Sequence, residues 1–336
     1  MSRNRLLAAF AAVATLALMV AEAAEPLPAK CDKQCLTSLV DRYIAAVVAH
    51  DPAQLPLATN VRFTEMGQEM PLGDGLWFTA SEAGRYRHYY PDPISNQVGF
   101  MATMKENGRP VMLGGRLRVQ RGRISEIETV LYRSGAGPSW NDKGMAAIDE
   151  RGTVDPVWLE EIPVAERASR EELIRDANQY FEGLEQNDGK GHYNFAPDCF
   201  RVENGAQTTS RAELQSGADF NVTALNCKEQ FESGYLAVVT RIFYRRFPIV
   251  DVEHGVVFSM VSFDHRGLKE VKLTNGRTLP MTGFSRPSSI ILAEAFRIEK
   301  GLIRRIEAVG TGIPYKMDLG WANDATTPKR TRPEVP

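Results

Sequence analysis

Two glutamates close predicted strands at matching points of this 336-residue chain, Glu65 in FTEMG and Glu203 in RVENG. Side chains alternate along a strand, so Phe63 shares a face with Glu65, and Arg201 shares a face with Glu203. We expect that face to look toward an apolar interior, where a carboxylate has a raised pKa and can act as a general base. The alternative is that Glu-x-Gly closes a turn, with its carboxylate bonded to the backbone or to an arginine.

A second candidate pair, Asp264 and His265, follows the apolar strand VVFSMVSF. Histidine can relay a proton near neutral pH, and a carboxylate can fix its tautomer. Adjacent residues on a strand face opposite ways, so these two can form a dyad only if the strand has already ended. Otherwise the aspartate caps a turn beside an exposed histidine.

Tyrosines and an arginine could hold the negative charge that develops during such a reaction. Tyr43 and Tyr180 fall on predicted helices that would line a cavity, where a phenol can donate to an oxyanion. Such tyrosines also occur in ordinary cores with the hydroxyl satisfied. Arg201 and Tyr244 are the further candidates for this role.

Arginines and aromatic residues alternate over residues 85–90, which include Arg87 and Tyr89. This pattern suits the binding of an anionic or aromatic ligand. It equally suits a solvated sheet face with ion pairs to the neighbouring strand.

The elements that would position these residues occur twice. RVQRGRISEIETV (residues 118–130) and RIEKGLIRRIEAV (residues 297–309) match at six of thirteen positions in register. Each central glycine stands where a tight hairpin needs a positive φ. The pattern predicts a duplicated domain.

Further matches keep the same order in both halves. Tyr90-Pro91 aligns with Phe247-Pro248, and the VGF that precedes the first hairpin aligns with the VVF that precedes the second. Chance similarity would not keep this order.

Each half begins with an amphipathic helix, the first over residues 33–49 and the second opening at the capping box 169–172. A leading helix followed by an antiparallel meander is an α+β architecture. The predicted strands are 60–66, 97–105, 110–120 and 123–133 in the first half, and 198–204, 235–247, 255–264, 288–299 and 302–311 in the second.

Bulk properties argue against several classes of protein. The 40 basic and 42 acidic residues form no block of like charge, which disfavours a nucleic-acid partner.

Residues 1–24 have the arginines, apolar run and small-residue exit of a cleaved signal peptide, so we expect a periplasmic or secreted protein. No other apolar stretch approaches the ~20 residues of a membrane span.

Four cysteines remain after that cleavage, and an oxidising compartment favours disulfides. We predict the two local bridges, Cys31 with Cys35 and Cys199 with Cys227. We expect no metal, because no Cys-x-x-Cys pair and no histidine stand at ligand spacing. We expect no cofactor, because nucleotide-binding and dinucleotide-binding motifs are absent from the sequence.

The leading helix, Ala196-Pro197-Asp198 before a strand, and the final G-x-I-x-x-I-E hairpin resemble the nuclear transport factor 2-like superfamily, which includes SnoaL-type cyclases and ketosteroid isomerases. VRFTEMGQEMPLG, VDPVWLEEIP, CFRVENGAQTT and RRFPIVDVEHGVVF resemble a family of exported proteins with two such domains. The resemblance implies a cone in each domain, a leading helix packed in a strongly curved antiparallel sheet with a pocket at its open end.

The corresponding division of the chain is a first domain at 31–133, a packed linker at 134–168, a second domain at 169–320 and a disordered tail at 322–336. The function expected is a cofactor-independent lyase or isomerase that acts by proton transfer on a small apolar or aromatic molecule. Its base would be Glu203 or His265. The alternative is a non-catalytic ligand-binding or interaction module of the periplasm, arranged as a pseudo-dimer; a homo-oligomer is compatible with either.

Overall fold

The computed structural model describes residues 24–186, 188–211 and 220–321. Most of the predicted signal peptide, residues 1–23, and the predicted tail lie outside the described residues. None of the described helices is long and apolar enough to cross a membrane.

The first half is a long helix laid against a six-stranded sheet of order β2-β1-β6-β5-β4-β3. β1 pairs parallel with β6, so the sheet is mixed and not the antiparallel meander that was predicted. The elements are α1 (Lys33–Val48), β1 (Leu57–Glu65), β2 (Gln68–Glu69), α2 (Leu76–Thr79), β3 (Ala80–Asp92), β4 (Gln97–Glu106), β5 (Arg109–Gln120) and β6 (Arg123–Arg133).

The second half repeats this plan, with strand order β8-β7-β14-β13-β10-β9 and a parallel β7–β14 pair. The two predicted hairpins are therefore equivalent, and the tandem α+β fold is confirmed. The remaining elements are α3 (Ser139–Arg151), α4 (Arg170–Gln186), β7 (Phe195–Glu203), β8 (Ala206–Gln207), α5 (Cys227–Glu232), β9 (Arg241–Asp251), β10 (Val256–His265), β11 (Glu270–Lys272), β12 (Thr278–Pro280), β13 (Ser288–Glu299) and β14 (Leu302–Ile313).

The two leading helices begin at capping residues. The Asp32 side chain accepts from the backbone N–H of Cys35 at the start of α1. Ser169 and Glu172 form a reciprocal capping box at the start of α4, with distances of 2.8 and 3.2 Å. Each helix then lays its apolar stripe on the inner face of its own sheet.

Strand β3 was missed, and β9 begins at Arg241 where position 235 was predicted. Both are edge strands of their sheets, where a proline inside the strand removes no ladder hydrogen bond. Pro91 and Pro248 occupy such positions. The sequence signal is weak because β3 is rich in polar residues, of which His88 and Asp92 become buried.

Strand register corrects the alignment of VGF with VVF by one residue. Counted from the matched Arg118 and Arg297, Gly99 is the counterpart of Phe258. A Cβ on Gly99 would lie 2.8 Å from the Phe258 ring, so the bare backbone of one sheet receives an aromatic ring from the other.

The same register corrects the aromatic-proline alignment. Tyr90 pairs with Gly99 and Ile249 pairs with Phe258, so Tyr90 corresponds to Ile249 and not to Phe247. The pairing of β9 with β10 shifts by one residue between Phe258 and Met260, and by another between Met260 and Ser262.

Each sheet is covered on both faces. Its inner face packs on a helix of the same half, and a third apolar cluster lies between the two sheets. That cluster includes Tyr90, Met101, Phe258, Met260 and Val309. The two domains therefore share an apolar interface in addition to their own cores.

Two buried contacts between a basic side chain and a carboxyl group cross this interface, and the duplication makes them reciprocal. Arg246 donates to Glu128 at 2.9 Å, and Nδ1 of His88 lies 2.7 Å from Glu307. Glu128 and Glu307 are matched hairpin residues, and the register makes Arg246 the counterpart of His88. Each domain thus offers a carboxylate to a basic side chain of the other.

A second reciprocal pair joins each leading helix to the other domain. Lys33, the first residue of α1, lies 2.9 Å from Asp251 at the end of β9. Arg170, the first residue of α4, lies 2.7 Å from Asp92 at the end of β3. The arrangement is that of a pseudo-twofold dimer within one chain.

Two segments outside the sheets reinforce the contact. Trp158, in the segment between the halves, is buried against His88 and Tyr90, with ring centroids 4.9 and 5.9 Å away. Near the end of the described chain, the indole N–H of Trp321 donates to Thr64 Oγ1 at 3.1 Å.

Both predicted disulfides are confirmed, Cys31–Cys35 and Cys199–Cys227. They leave no free cysteine among the described residues. Two bridges in one chain fit an oxidising, exported environment.

We predict that Glu128→Ala lowers the free energy of unfolding by about 3–5 kcal/mol, because it leaves the buried guanidinium groups of Arg116 and Arg246 without their shared carboxylate. Urea unfolding followed by near-UV circular dichroism measures the change. The matched control is Glu69→Ala, which breaks an exposed pair with Arg62 and should change the value by less than about 1 kcal/mol. Equal losses in the two variants would contradict the prediction.

Candidate functional site

A polar cluster lies inside the second domain, between α4 and the sheet, with the buried guanidinium of Arg201 at its centre. Arg201 donates to Thr208 Oγ1 at 3.0 Å, to Gln230 Oε1 at 2.5 Å and to the Tyr180 hydroxyl at 3.4 Å. Gln230 itself donates to the backbone carbonyls of Thr208 and Val222. Gln230 therefore fixes the position of the guanidinium.

Glu294 on β13 points into the same interior and is 1% exposed. Within the described part of the chain, its Oε2 has no hydrogen-bond partner. Burial, and then the negative charge of Glu203, raise the pKa of Glu294 to about 8, although Arg201 and Tyr180 act in the opposite direction. A carboxyl group with this pKa can take up or release a proton near neutral pH.

Strand register brings the two carboxyl groups to one level of the sheet. Glu294 pairs with Ala308, and Ala308 pairs with Glu203, so a single strand separates the two glutamates. Two strand spacings amount to roughly 10 Å between their backbones. Glu203 Oε1 lies 3.0 Å from Arg201 Nε, and the Glu203 side chain is 38% exposed, which places it at the rim of the cluster.

Aromatic rings form the wall beside the polar cluster. The Tyr180 ring lies between 5.1 and 6.1 Å from four neighbouring phenylalanine rings. These are Phe181, Phe195, Phe231 and Phe296. Burial raises the pKa of the Tyr180 hydroxyl well above its usual value, so the phenol is a hydrogen-bond donor at neutral pH.

The corresponding place in the first domain is filled by a ring. Glu294 pairs with Ser259 in the second domain, and the equivalent pair in the first is Gly115 with Phe100. A Cβ on Gly115 would lie 3.0 Å from the Phe100 ring. The second domain thus has a carboxyl and a small hydroxyl residue where the first has a phenylalanine over a glycine.

Glu65 matches Glu203 in position but not in surroundings. Its Oε2 accepts from the backbone N–H of Leu76 at 2.9 Å, and its Oε1 lies 3.5 Å from Arg133. Burial raises the pKa of Glu65. These are the contacts of the turn-closing alternative, and Tyr43 packs nearby against Trp77 in a filled core.

Asp264 and His265 do not form a dyad, because β10 continues through both. Asp264 accepts from Ser289 Oγ at 2.6 Å and forms an ion pair with Arg241. His265 is buried, stacks on Phe284 at 4.6 Å, and has its pKa lowered to about 4 by burial. It stands six residues beyond the partner of Glu294 on β10, a separation of roughly 20 Å.

The remaining candidates have local partners outside the cluster. The Tyr244 hydroxyl donates to Asp318 at 3.0 Å. The Tyr89 hydroxyl donates to Asp41 at 2.6 Å, and Arg87 donates to two backbone carbonyls. The contacts of Arg87 and Tyr89 fit the structural alternative of a sheet face held by polar pairs.

Among the described residues, one group could supply three metal ligands, namely Asp251, Glu253 and His254. The ammonium group of Lys33 lies among them, 2.9 Å from Asp251 and 2.5 Å from Glu253. A cation is thus already provided by the protein, and the group belongs to the contact between the domains.

Glu294 and Gln230 were not identified from the sequence. SSIILAEAF scores as an apolar strand, and one acidic residue in it suggests no site by itself. The available signal was the repeat. When the two hairpins are aligned, Glu294 takes the position that a glycine occupies in the first half.

Comparison with known proteins finds a likeness to the part of the chain that holds this site. A family model described as a domain of unknown function (DUF8021) matches residues 166–310, which include the whole cluster. No curated protein matches the chain.

Solved structures with detectable likeness align with part of the chain. An NTF2-like protein of unknown function from Cytophaga hutchinsonii is 15% identical, with 32% of this chain and 95% of that one covered and a TM-score of 0.25. AclR, a putative hydroxylase from Streptomyces galilaeus, is 16% identical over 46% and 89%, with a TM-score of 0.28. A putative isomerase from Bacillus subtilis is 9% identical over 42% and 87%, also with a TM-score of 0.28.

We predict that Glu294→Gln becomes progressively more stable than the wild type as pH rises from about 4.5 to about 8. A raised folded-state pKa means that the native protein keeps a proton that the unfolded chain has lost, so wild-type stability falls across this interval, by at most about 1.4 kcal/mol per pH unit. Urea unfolding at several pH values measures the difference. Glu150→Gln, an exposed substitution, should follow the wild type; parallel curves for Glu294→Gln would contradict the assignment.

Proposed function

We propose that the second domain is a cofactor-independent lyase or isomerase that transfers a proton on a small apolar or aromatic molecule. The observation that carries this proposal is the buried Glu294 carboxyl, with one oxygen lacking a hydrogen-bond partner among the described residues and a pKa raised to about 8. Burying such a group without full pairing costs stability, and groups of this kind concentrate at sites of chemistry.

The side chains beside Glu294 are suited to stabilise the negative charge that develops on the substrate during proton transfer. In the proposed reaction, Glu294 takes a proton from a carbon next to a carbonyl group, so that the C–H electron pair moves onto the carbonyl oxygen, and returns the proton at a second position. Arg201 and the Tyr180 hydroxyl stabilise the oxyanion that forms between these two steps. The aromatic wall favours an apolar or aromatic substrate over a charged one.

Glu203 and His265 take lesser roles in this proposal. Glu203 is paired with Arg201 at the rim, where it keeps the guanidinium charge balanced and raises the pKa of Glu294. His265 is roughly 20 Å from the level of Glu294 along β10 and lies beneath Phe284. Neither is placed as well as Glu294 to exchange a proton beside Arg201.

The proposed location is the periplasm or the cell exterior. The two disulfides favour an oxidising compartment, and the sequence of residues 1–24 has the pattern of a cleaved signal peptide.

A non-catalytic binding module is the second candidate. It is favoured by the 1% exposure of Glu294 and by the intramolecular hydrogen bonds that engage Arg201. In this role, the protonated Glu294 would donate one hydrogen bond to a neutral ligand.

We predict that the protein catalyses exchange of carbon-bound protons for deuterium in a panel of small ketones and enones, measured by NMR in deuterated buffer. Glu294→Gln should slow exchange by at least about 100-fold, since it removes the group that carries the proton. The rate should rise with pH toward about 8, as Glu294 ionises.

Glu65→Gln is the matched control, because it neutralises a buried glutamate of the first domain and should leave exchange unaltered. If Glu294→Gln exchanges protons as fast as the wild type, the catalytic proposal is wrong. If no compound exchanges but one raises the melting temperature of wild type and variant alike, the binding module is correct instead.

A further inference from the structure

An open groove of about 970 Å³ lies on the first domain, away from the Glu294 cluster. The segment before α1, the start of β1 and the β5–β6 turn line it, together with Trp321. None of the candidate catalytic or ligand-binding residues named above lines it.

The groove carries positive charge that nothing nearby neutralises. Lys30, Arg121 and Arg123 line it, and none of the three has an ion pair with a carboxylate in the described ranges of the chain. The carboxylate that faces it, Glu126, is already bound by Arg116 at 2.7 Å and by Arg118 at 2.9 Å. This concentration of charge stands out on a chain whose net charge is −2.

Backbone contacts fix the walls of the groove before any ligand arrives. Arg121 and Gly122 both have positive φ, 53° and 72°, as a tight turn requires. The carbonyl of Gly122 accepts from the N–H of Leu27 at 2.8 Å, which ties the turn to the N-terminal segment. Asn96 accepts from the N–H of Cys31 at 3.0 Å on the same wall.

The other lining groups narrow the class of ligand. Thr59, Asn60 and Gln120 are exposed and offer hydroxyl and amide groups. The aromatic lining residue, Trp321, is buried, so it gives no platform on which a base could stack. A concave polar groove without exposed large apolar side chains is a poor surface for a bilayer.

We propose that this groove binds a short acidic oligosaccharide. The carboxylates of the sugar pair with Lys30, Arg121 and Arg123, and its hydroxyl groups bond to the amide and hydroxyl side chains beside them. This binding is independent of the proton transfer assigned to the second domain.

The test is calorimetric titration of the full chain with tetragalacturonate, and with neutral maltotetraose as the uncharged comparison. We expect binding of the acidic sugar that weakens as salt is raised, and no binding of the neutral one. The double variant Arg121→Ser/Arg123→Gln should weaken binding by at least about tenfold, because two charge-assisted hydrogen bonds are lost.

Arg109→Ser/Lys143→Gln is the matched control, since it removes two exposed cations that do not line the groove. It should bind as the wild type does, and circular dichroism should show both double variants folded. Undiminished binding by Arg121→Ser/Arg123→Gln, or tighter binding of tetraglutamate than of the sugar, would overturn the proposal.

Discussion

The fold depends on burying both faces of two sheets while keeping the charges between them paired. Glu128 and Glu307 stand on outer faces that would meet water in a single domain. In the tandem chain each carboxylate is buried, and Arg246 or His88 reaches it from the other sheet. Pairing across the interface therefore fixes how the two domains sit on one another, as register-setting polar groups do elsewhere.

Reciprocity does not make the two halves chemically equal. At one pair of facing positions, the first domain has Phe100 and Gly115 and the second has Ser259 and Glu294. This single difference replaces an aromatic ring by a carboxyl group inside the cone. The same domain also buries Arg201, and Gln230 holds its guanidinium in place. Duplication allows this, because the first domain keeps a filled apolar core while the second accepts polar groups.

Much of the fold followed from the sequence because its signals are local. The helical stripe of α1, the capping box of α4 and the glycine turns of the two hairpins are set within a few residues. The missed β3 has two polar side chains, His88 and Asp92, that are buried against the other domain, a tertiary effect that no local pattern contains. Strand alternation brought Arg201 and Glu203 together, and the predicted helix placed Tyr180 beside the cavity, whereas Glu294 required the register of three strands.

The difference between the two cores also bears on why the second one retains the buried carboxyl of Glu294. A carboxyl group buried without full hydrogen bonding opposes folding, and replacing it by glycine with a facing phenylalanine is a solution that this chain already uses in its first domain. Sequence and structure usually agree at every level except where function demands otherwise. We propose that the chain keeps this incompletely hydrogen-bonded carboxyl in one of its two cores because that core holds the site of chemistry.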